Sequence, residues 1–118
     1  GIYSEYARIF DESNPHFKKQ TVYNQVFLDS CEREANDKLR IKGYLYLNEV
    51  YEMLGYEQTE AGQIVGWMYD KHQKDGYITF NHRNTNYETS CRFMEGYHPE
   101  VILDFNVDGP ITKYFRKI

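Results

Sequence analysis

The sequence predicts an α+β domain, with a mainly antiparallel sheet, one long helix and a short helix pair packed on it. Three observations predict it. Apolar and small residues recur at helical spacing from Thr21 to about Leu39, and short segments with period-two alternation recur at residues 5–10, 77–81 and 101–107. The two patterns do not alternate as they would in a parallel α/β sheet. At 118 residues the chain is long enough to bury one core without disulfides, so residues 1–118 are expected to form one globular domain.

Glu5–Phe10 (EYARIF) is the first expected strand, and Asp11–Pro15 (DESNP) the turn that ends it. Thr21 is placed to cap the long helix, with Val22, Val26, Phe27, Ser30, Cys31, Ala35 and Leu39 read as its buried stripe. Asp29 with Arg33, and Glu34 with Lys38, stand at i,i+4 and predict a solvated, charged opposite face. The stretch Gly43–Trp67 (GYLYLNEVYEMLGYEQTEAGQIVGW) reads as a strand over Tyr44–Leu47, a helix over Glu49–Leu54 capped by Asn48, and a left-handed stop at Gly55. A second short helix then follows, opened by Thr59, with Ala61, Ile64 and Val65 on one side and weakened by Gly62 and Gly66. Trp67–Tyr69 begins a return strand. Asp75-Gly76 introduces Tyr77–Asn81, with Ile78 and Phe80 on one face. Residues 82–90 (HRNTNYETS) read as a polar loop, Val101–Val107 as a strand with Val101, Leu103, Phe105 and Val107 on one face, and Asp108-Gly109-Pro110 as a turn before a final edge strand or frayed tail.

Composition narrows the function classes. Hydrophobic residues are 41% and charged residues 27%, ordinary for a folded chain, while 12 Tyr and 7 Phe make it rich in aromatics. The net charge of −4 opposes nucleic-acid binding, which draws its affinity from Lys and Arg neutralising phosphates. Cys31 and Cys91, 60 positions apart, read as free thiols, the first of them buried on the long helix. No apolar run reaches the roughly 20 residues that cross a bilayer.

Three motif-like features remain. The segment Asp70–His82 (DKHQKDGYITFNH) resembles the second half of a calcium-binding loop, but aligning Asp75, Gly76 and Ile78 on loop positions 5, 6 and 8 puts Lys71, Gln73 and His82 where oxygen ligands are needed. The central stretch has the apolar spacing of a helix-turn-helix, yet its would-be recognition helix TEAGQIVG has no Lys or Arg and carries Glu60. His16, His72, His82, Cys91 and His98 show no metal-ligand spacing. The expectation is therefore no catalytic residue, no metal and no cofactor. An enzyme would have to assemble scattered residues such as His72, His82, His98 and Asp104 in a cleft.

The order LNEVYEMLG (47–55), GQIVGW (62–67) and VILDFNVDGPI (101–111), with YARIF and EREANDKLRIKGYLYLNE upstream, resembles the C-terminal domain of an uncharacterised protein family encoded by phages and prophages of gut Firmicutes. The resemblance implies that the chain is a trimmed C-terminal domain of a longer protein whose N-terminal part is membrane-associated. It also implies a location in the host cytoplasm or at the cytoplasmic face of the host membrane. It carries no activity and no functional residues. The functional expectation is a non-enzymatic domain acting by macromolecular interaction with a phage or host protein, without nucleic acid and without membrane contact from this fragment. Tyr46, Trp67 and Tyr77 are the candidate interaction surface, because aromatic rings pair an apolar body with a polar edge. The alternative is a small-ligand binder, in which Tyr and Trp line a pocket for a nucleotide or signalling molecule, as in a host-defence antagonist.

Overall fold

A computed structural model describes residues 2–70 and 74–115. Its strands are β1 (Arg8–Phe10), β2 (Tyr44–Tyr46), β3 (Val65–Met68), β4 (Val101–Leu103) and β5 (Gly109–Pro110), and its helices are α1 (Thr21–Lys42), α2 (Leu47–Leu54) and α3 (Glu88–Met94). All strand pairing is antiparallel: β1 pairs β4, and β2, β3 and β5 form a second sheet in that order. The fold class is α+β, as the sequence patterns predict. The described chain gathers into two compact units, one built from residues up to Glu32 with Thr79–Asn106, the other from Arg33–Ile78 with Val107 onward.

In the first unit, Phe10, Leu28, Cys31, Phe80, Phe93, Val101, Leu103 and Phe105 are buried. Phe10 stacks on Phe27 at 5.8 Å, and Phe80 meets Phe105 edge-on at 5.3 Å, geometries that aromatic quadrupoles favour. The strand expected over Val101–Val107 is cut to Val101–Leu103, and beyond it the chain bonds to the segment Thr79–Asn81 instead of a regular strand. That segment keeps the predicted alternation, with Phe80 and His82 buried, but is extended backbone without a regular ladder. Side chains stand in for a neighbouring strand. Asn106 Oδ1 accepts the Thr79 N–H at 2.8 Å and Glu32 Oε2 accepts the Phe80 N–H at 2.9 Å, while the Thr79 and Phe80 carbonyls accept from Asn106 and Asp104. Residues 82–90 are not all loop, because α3 opens at Glu88 and carries a Glu88–Arg92 ion pair at i,i+4.

The second unit centres on the cross-strand pair Leu45–Trp67, both fully buried, with Ala35, Leu39, Leu47, Val50, Tyr51, Leu54, Val65, Ile78 and Ile111. Gly43, at φ +88, stops α1, and its N–H caps the Leu39 carbonyl. Asn48 does not cap α2. The helix begins two residues earlier than expected, at Leu47, with Glu49 reaching back to the Tyr46 N–H, and Asn48 is instead spent on both backbone groups of Thr59 at 2.8 and 2.9 Å. Gly55 supplies the predicted left-handed stop at φ 92. The second member of the expected helix pair is a 3₁₀ turn over Ala61–Gln63, opened by the Thr59 hydroxyl on the Gly62 N–H. Val65, read from sequence as helical, is taken into β3. Gly66 is required there, since a Cβ would run into the Leu45 and Tyr46 backbone of β2.

The long helix corrects the predicted stripe. Its buried positions are Asn24, Leu28, Cys31, Ala35 and Leu39, whereas Val22, Val26 and Ser30 are exposed. At about 100° per residue, Val22 and Val26 lie roughly 180° from the buried stripe. The predicted set had merged two faces of one helix.

Asp108 shows how the second unit responds to pH. Its Oδ2 accepts the Met68 N–H at 2.9 Å, while Oδ1 is buried with no hydrogen-bond partner. Burial pushes this carboxyl above its ordinary range, and Asp75 adds to the effect against the opposing pull of the Met68 N–H and Lys74. A raised carboxyl pKa means that the folded state binds the extra proton, so stability falls as pH rises from the unfolded value through the folded one. Asp108→Asn is therefore expected to melt higher than the parent at pH 7, with the difference shrinking toward pH 4. Thermal melts across that range check it.

Candidate functional site

The most elaborate polar cluster among the described residues joins α1 to the segment that follows Ile78. Asp29 and Glu32, at i,i+3, project from neighbouring positions on the helix flank and receive Thr79–Arg83. Arg83 grips Asp29 with two parallel bonds, Nε to Oδ1 at 2.9 Å and Nη2 to Oδ2 at 2.8 Å. His82 Nε2 lies 2.8 Å from the same Oδ1, and because a carboxylate only accepts, that nitrogen carries the hydrogen. Glu32 Oε2 takes the Phe80 N–H and the Thr79 hydroxyl, the latter at 3.3 Å. The other ring nitrogen of His82 is 3.7 Å from Glu32 Oε2, too far for a hydrogen bond, and has no hydrogen-bond partner among the described residues. Phe80 and Phe93 flank the ring at 5.9 and 6.4 Å.

The electrostatics tie the cluster together. Partial burial pushes the Asp29 carboxyl up, but hydrogen bonds from Arg83 and His82 and their charges outweigh it and hold the carboxyl below the usual range. The bond from Asp29 raises Arg83 in turn. His82 has the carboxylate partner of an acid–base dyad, yet only 1% of its side chain is exposed and Asp29 is already gripped by a guanidinium. The cluster orders a segment whose backbone has no strand beside it.

The other expected residues have separate partners. Asp104, buried, accepts the Ser4 N–H and the Tyr87 hydroxyl, and Tyr87 is raised by its own burial and by Asp104. His98 lies 3.4 Å from Arg92. His82, His98 and Asp104 thus belong to three different contacts, and His72 lies outside the described residues, as do Lys71 and Gln73 of the calcium-loop alignment. Among the described residues no group of three or more His, Cys, Asp or Glu is placed to hold a metal. Cys31 and Cys91 form no disulfide. No described helix is long and apolar enough to cross a membrane.

Of the three aromatics expected on an interaction surface, Trp67 is corrected. It is fully buried against Leu45, because its position on β3 faces the core. Tyr46 pairs with Gly66 in the same ladder, on the opposite sheet face, and its ring meets Tyr44 edge-on at 5.9 Å. Tyr77 is exposed. With Trp67 in the core, the three do not form one surface.

Hollows lie in both units of the described chain. One of about 120 Å³ is lined by Thr89, Arg92, His98 and Glu100, and an open one of about 400 Å³ by Ile64, Pro110, Thr112 and Lys113. Neither set includes the Tyr and Trp rings expected of a nucleotide pocket. A more pronounced surface feature is the outer face of α1, where Val22 is 71% exposed, Val26 59% and Tyr23 42%.

A family model matches residues 2–115, nearly the whole chain. The chain belongs to DUF6353, a family of unknown function. No curated protein and no solved structure matches it. The DUF6353 assignment is consistent with the expectation of an uncharacterised family and brings no site residues with it. Asp29, Glu32 and Arg83 were not legible as a site from sequence. Asp29 reads as the i,i+4 partner of Arg33, and only the return of residues 79–83 onto the helix gives it to Arg83.

Proposed function

We propose that this DUF6353 domain is phage- or prophage-encoded, catalyses no reaction, and acts by binding another protein in the host cytoplasm or at the cytoplasmic face of the host membrane. The observation that carries the binding reading is the second apolar face of α1. Val22 and Val26 stand one helical turn apart, opposite the stripe that packs into the core, so the core does not account for them. Single exposed apolar residues are common, but two at i,i+4 beside an exposed tyrosine form a contiguous patch of the kind that docks a partner. The charge of −4 weighs against nucleic acid. The phage context rests on the resemblance of residues 47–55, 62–67 and 101–111.

The test compares the tagged domain with Val22→Glu/Val26→Glu in lysate from phage-infected host cells. Both substituted positions face solvent, so the variant is expected to keep its circular dichroism spectrum and melting point while losing one specifically captured protein. Identical capture by both forms would sink the reading. A small-ligand function is supported only by the open hollow at Ile64, Pro110, Thr112 and Lys113, whose volume lies in the range of ligand sites. A rise in melting temperature with a nucleotide, abolished by Thr112→Arg, would favour it instead.

A further inference from the structure

We propose that His82 is a proton-operated clasp: a second proton on its ring, held between Asp29 and Glu32, fastens the segment 79–83 more tightly to α1 in mild acid. The ring is almost wholly buried, and only one of its nitrogens is in use. Nε2 donates to Asp29 Oδ1 at 2.8 Å, whereas Nδ1 is buried without a hydrogen-bond partner among the described residues. In the neutral ring Nδ1 carries a lone pair, and the nearby group at 3.7 Å, Glu32 Oε2, is also an acceptor. Two acceptors stand there with no hydrogen between them. A charged imidazole donates from both nitrogens, so a second proton turns the mismatch into an N–H beside a carboxylate. A shift of under about 1 Å then brings the pair to hydrogen-bond distance.

Charge decides which state the closed cluster favours. Helix α1 contributes two carboxylates, Asp29 and Glu32, with side chains 32% and 27% exposed, and the segment contributes one cation, Arg83. From α3 the ring meets Phe93, and from its own segment Phe80, neither of which carries charge. Arg83 grips Asp29 and feels the Glu32 charge as well. With a neutral His82 the cluster therefore holds one negative charge in excess, and a second proton on the ring cancels it. Burial and Arg83 oppose a charged ring, while the carboxylates beside its two nitrogens favour one. Opening the segment would return the ring to water and take it away from both carboxylates. Closure and proton uptake thus favour each other, so the added grip is present on the acid side of the ring's titration and is lost as pH rises through it. Glu32 Oε2 already accepts the Phe80 N–H at 2.9 Å, which makes that amide a reporter of the same carboxylate.

The experiment follows the His82 ring nitrogens of the isotopically labelled full chain by NMR between about pH 8 and about pH 5, where an imidazole gains its second proton. At the upper limit the ring should show a hydrogen on Nε2 alone. On acidification Nδ1 should gain one, and the Phe80 amide should shift with the same midpoint. Protection of that amide from solvent exchange, corrected for the intrinsic effect of pH, should rise about tenfold across the transition. Glu32→Gln keeps an oxygen for the Phe80 N–H but removes the charge, so its ring should titrate about one pH unit lower than the parent's, a roughly tenfold weaker hold on the proton. Glu34→Gln removes a charge from an exposed ion pair with Lys38 on the same helix and should leave the midpoint where it is. Should Glu32→Gln fail to fold, His82→Gln supplies a second arm. Its amide can still donate to Asp29 but takes no proton, so the Phe80 protection should no longer respond across this range. A ring that stays neutral down to about pH 5 would overturn the proposal, as would equal midpoints for the parent and Glu32→Gln. An equal displacement by Glu34→Gln would assign the effect to net charge and overturn it too, and so would Phe80 protection that ignores the state of the ring.

Discussion

Asp29→Ala is expected to lower stability by about 2 to 3 kcal/mol, measured by urea denaturation followed by circular dichroism. The substitution removes one acceptor group and strands two donors. Arg83 loses both of its bonds to Asp29, and His82, almost wholly buried, loses its hydrogen bond to the Asp29 carboxylate. Removing one partner of a fully buried charge pair typically costs about 3 to 5 kcal/mol, and the figure here is set lower because the Asp29 side chain remains 32% exposed and partly screened by water. Asp29→Asn keeps an acceptor for His82 but not the charge, and should fall between Ala and the parent. The difference must also depend on pH. The folded carboxyl lies below its ordinary range, so its contribution is complete above the unfolded pKa of about 3.9 and is lost as pH falls through the folded value. The parent and Asp29→Asn should therefore converge in strongly acid solution. A gap that stays constant from pH 7 to pH 3 would show that the Asp29 charge is not what holds the segment.

The reason this cluster escapes a reading of the sequence is physical. The segment Tyr77–Asn81 has the composition and alternation of a strand, and the alternation is right, with Ile78 and Phe80 inward. What pattern does not encode is which groups satisfy its backbone. Asn36 bonds both the N–H and the carbonyl of Ile78, at 2.8 and 2.9 Å, just as a strand neighbour would, and Asn106 and Glu32 do comparable work for Thr79 and Phe80. These partners lie 27 to 48 positions away, beyond the reach of local propensity. Helix α3 was hidden for a different reason, because ETSCRFM is short and polar, and stabilising an isolated helix of that length takes tertiary contacts. Glycine stops and apolar parity were legible. Gly43 and Gly55 end their helices in the left-handed conformation, and Leu45 with Trp67 fall on one sheet face. The second face of α1 was visible in the sequence as Val22 and Val26 but was merged with the first. The residue that separates them is Asn24, a polar group on the buried side, bonded to Lys18 and Pro99, while the valines face outward.

Trp67→Ala should have the largest effect of any single substitution in the second unit, a loss of about 3 to 5 kcal/mol. Trp67 is the only tryptophan in the chain, fully buried, and paired directly with Leu45 across the ladder. Its loss removes the transfer free energy of the largest core side chain and leaves a void that neighbouring groups cannot close. Gly66 beside it lets the β2 backbone come so close that a Cβ there would overlap the Leu45 carbonyl. Sheet strands locked at that separation cannot slide inward, and α2 is tied at its start by Glu49 on the Tyr46 N–H and through Asn48 on Thr59. Trp67→Phe, which leaves a smaller void, is expected to lose about 1 to 2 kcal/mol, and the two losses together test whether cavity volume sets the scale. Because domains of this size are typically stable by about 5 to 15 kcal/mol, Trp67→Ala should leave the fold marginal, with an early urea midpoint and an unchanged slope. If Trp67→Ala lost less than about 1 kcal/mol, the tryptophan would have to be accessible in solution and the aromatic interaction surface proposed from sequence would regain its central residue.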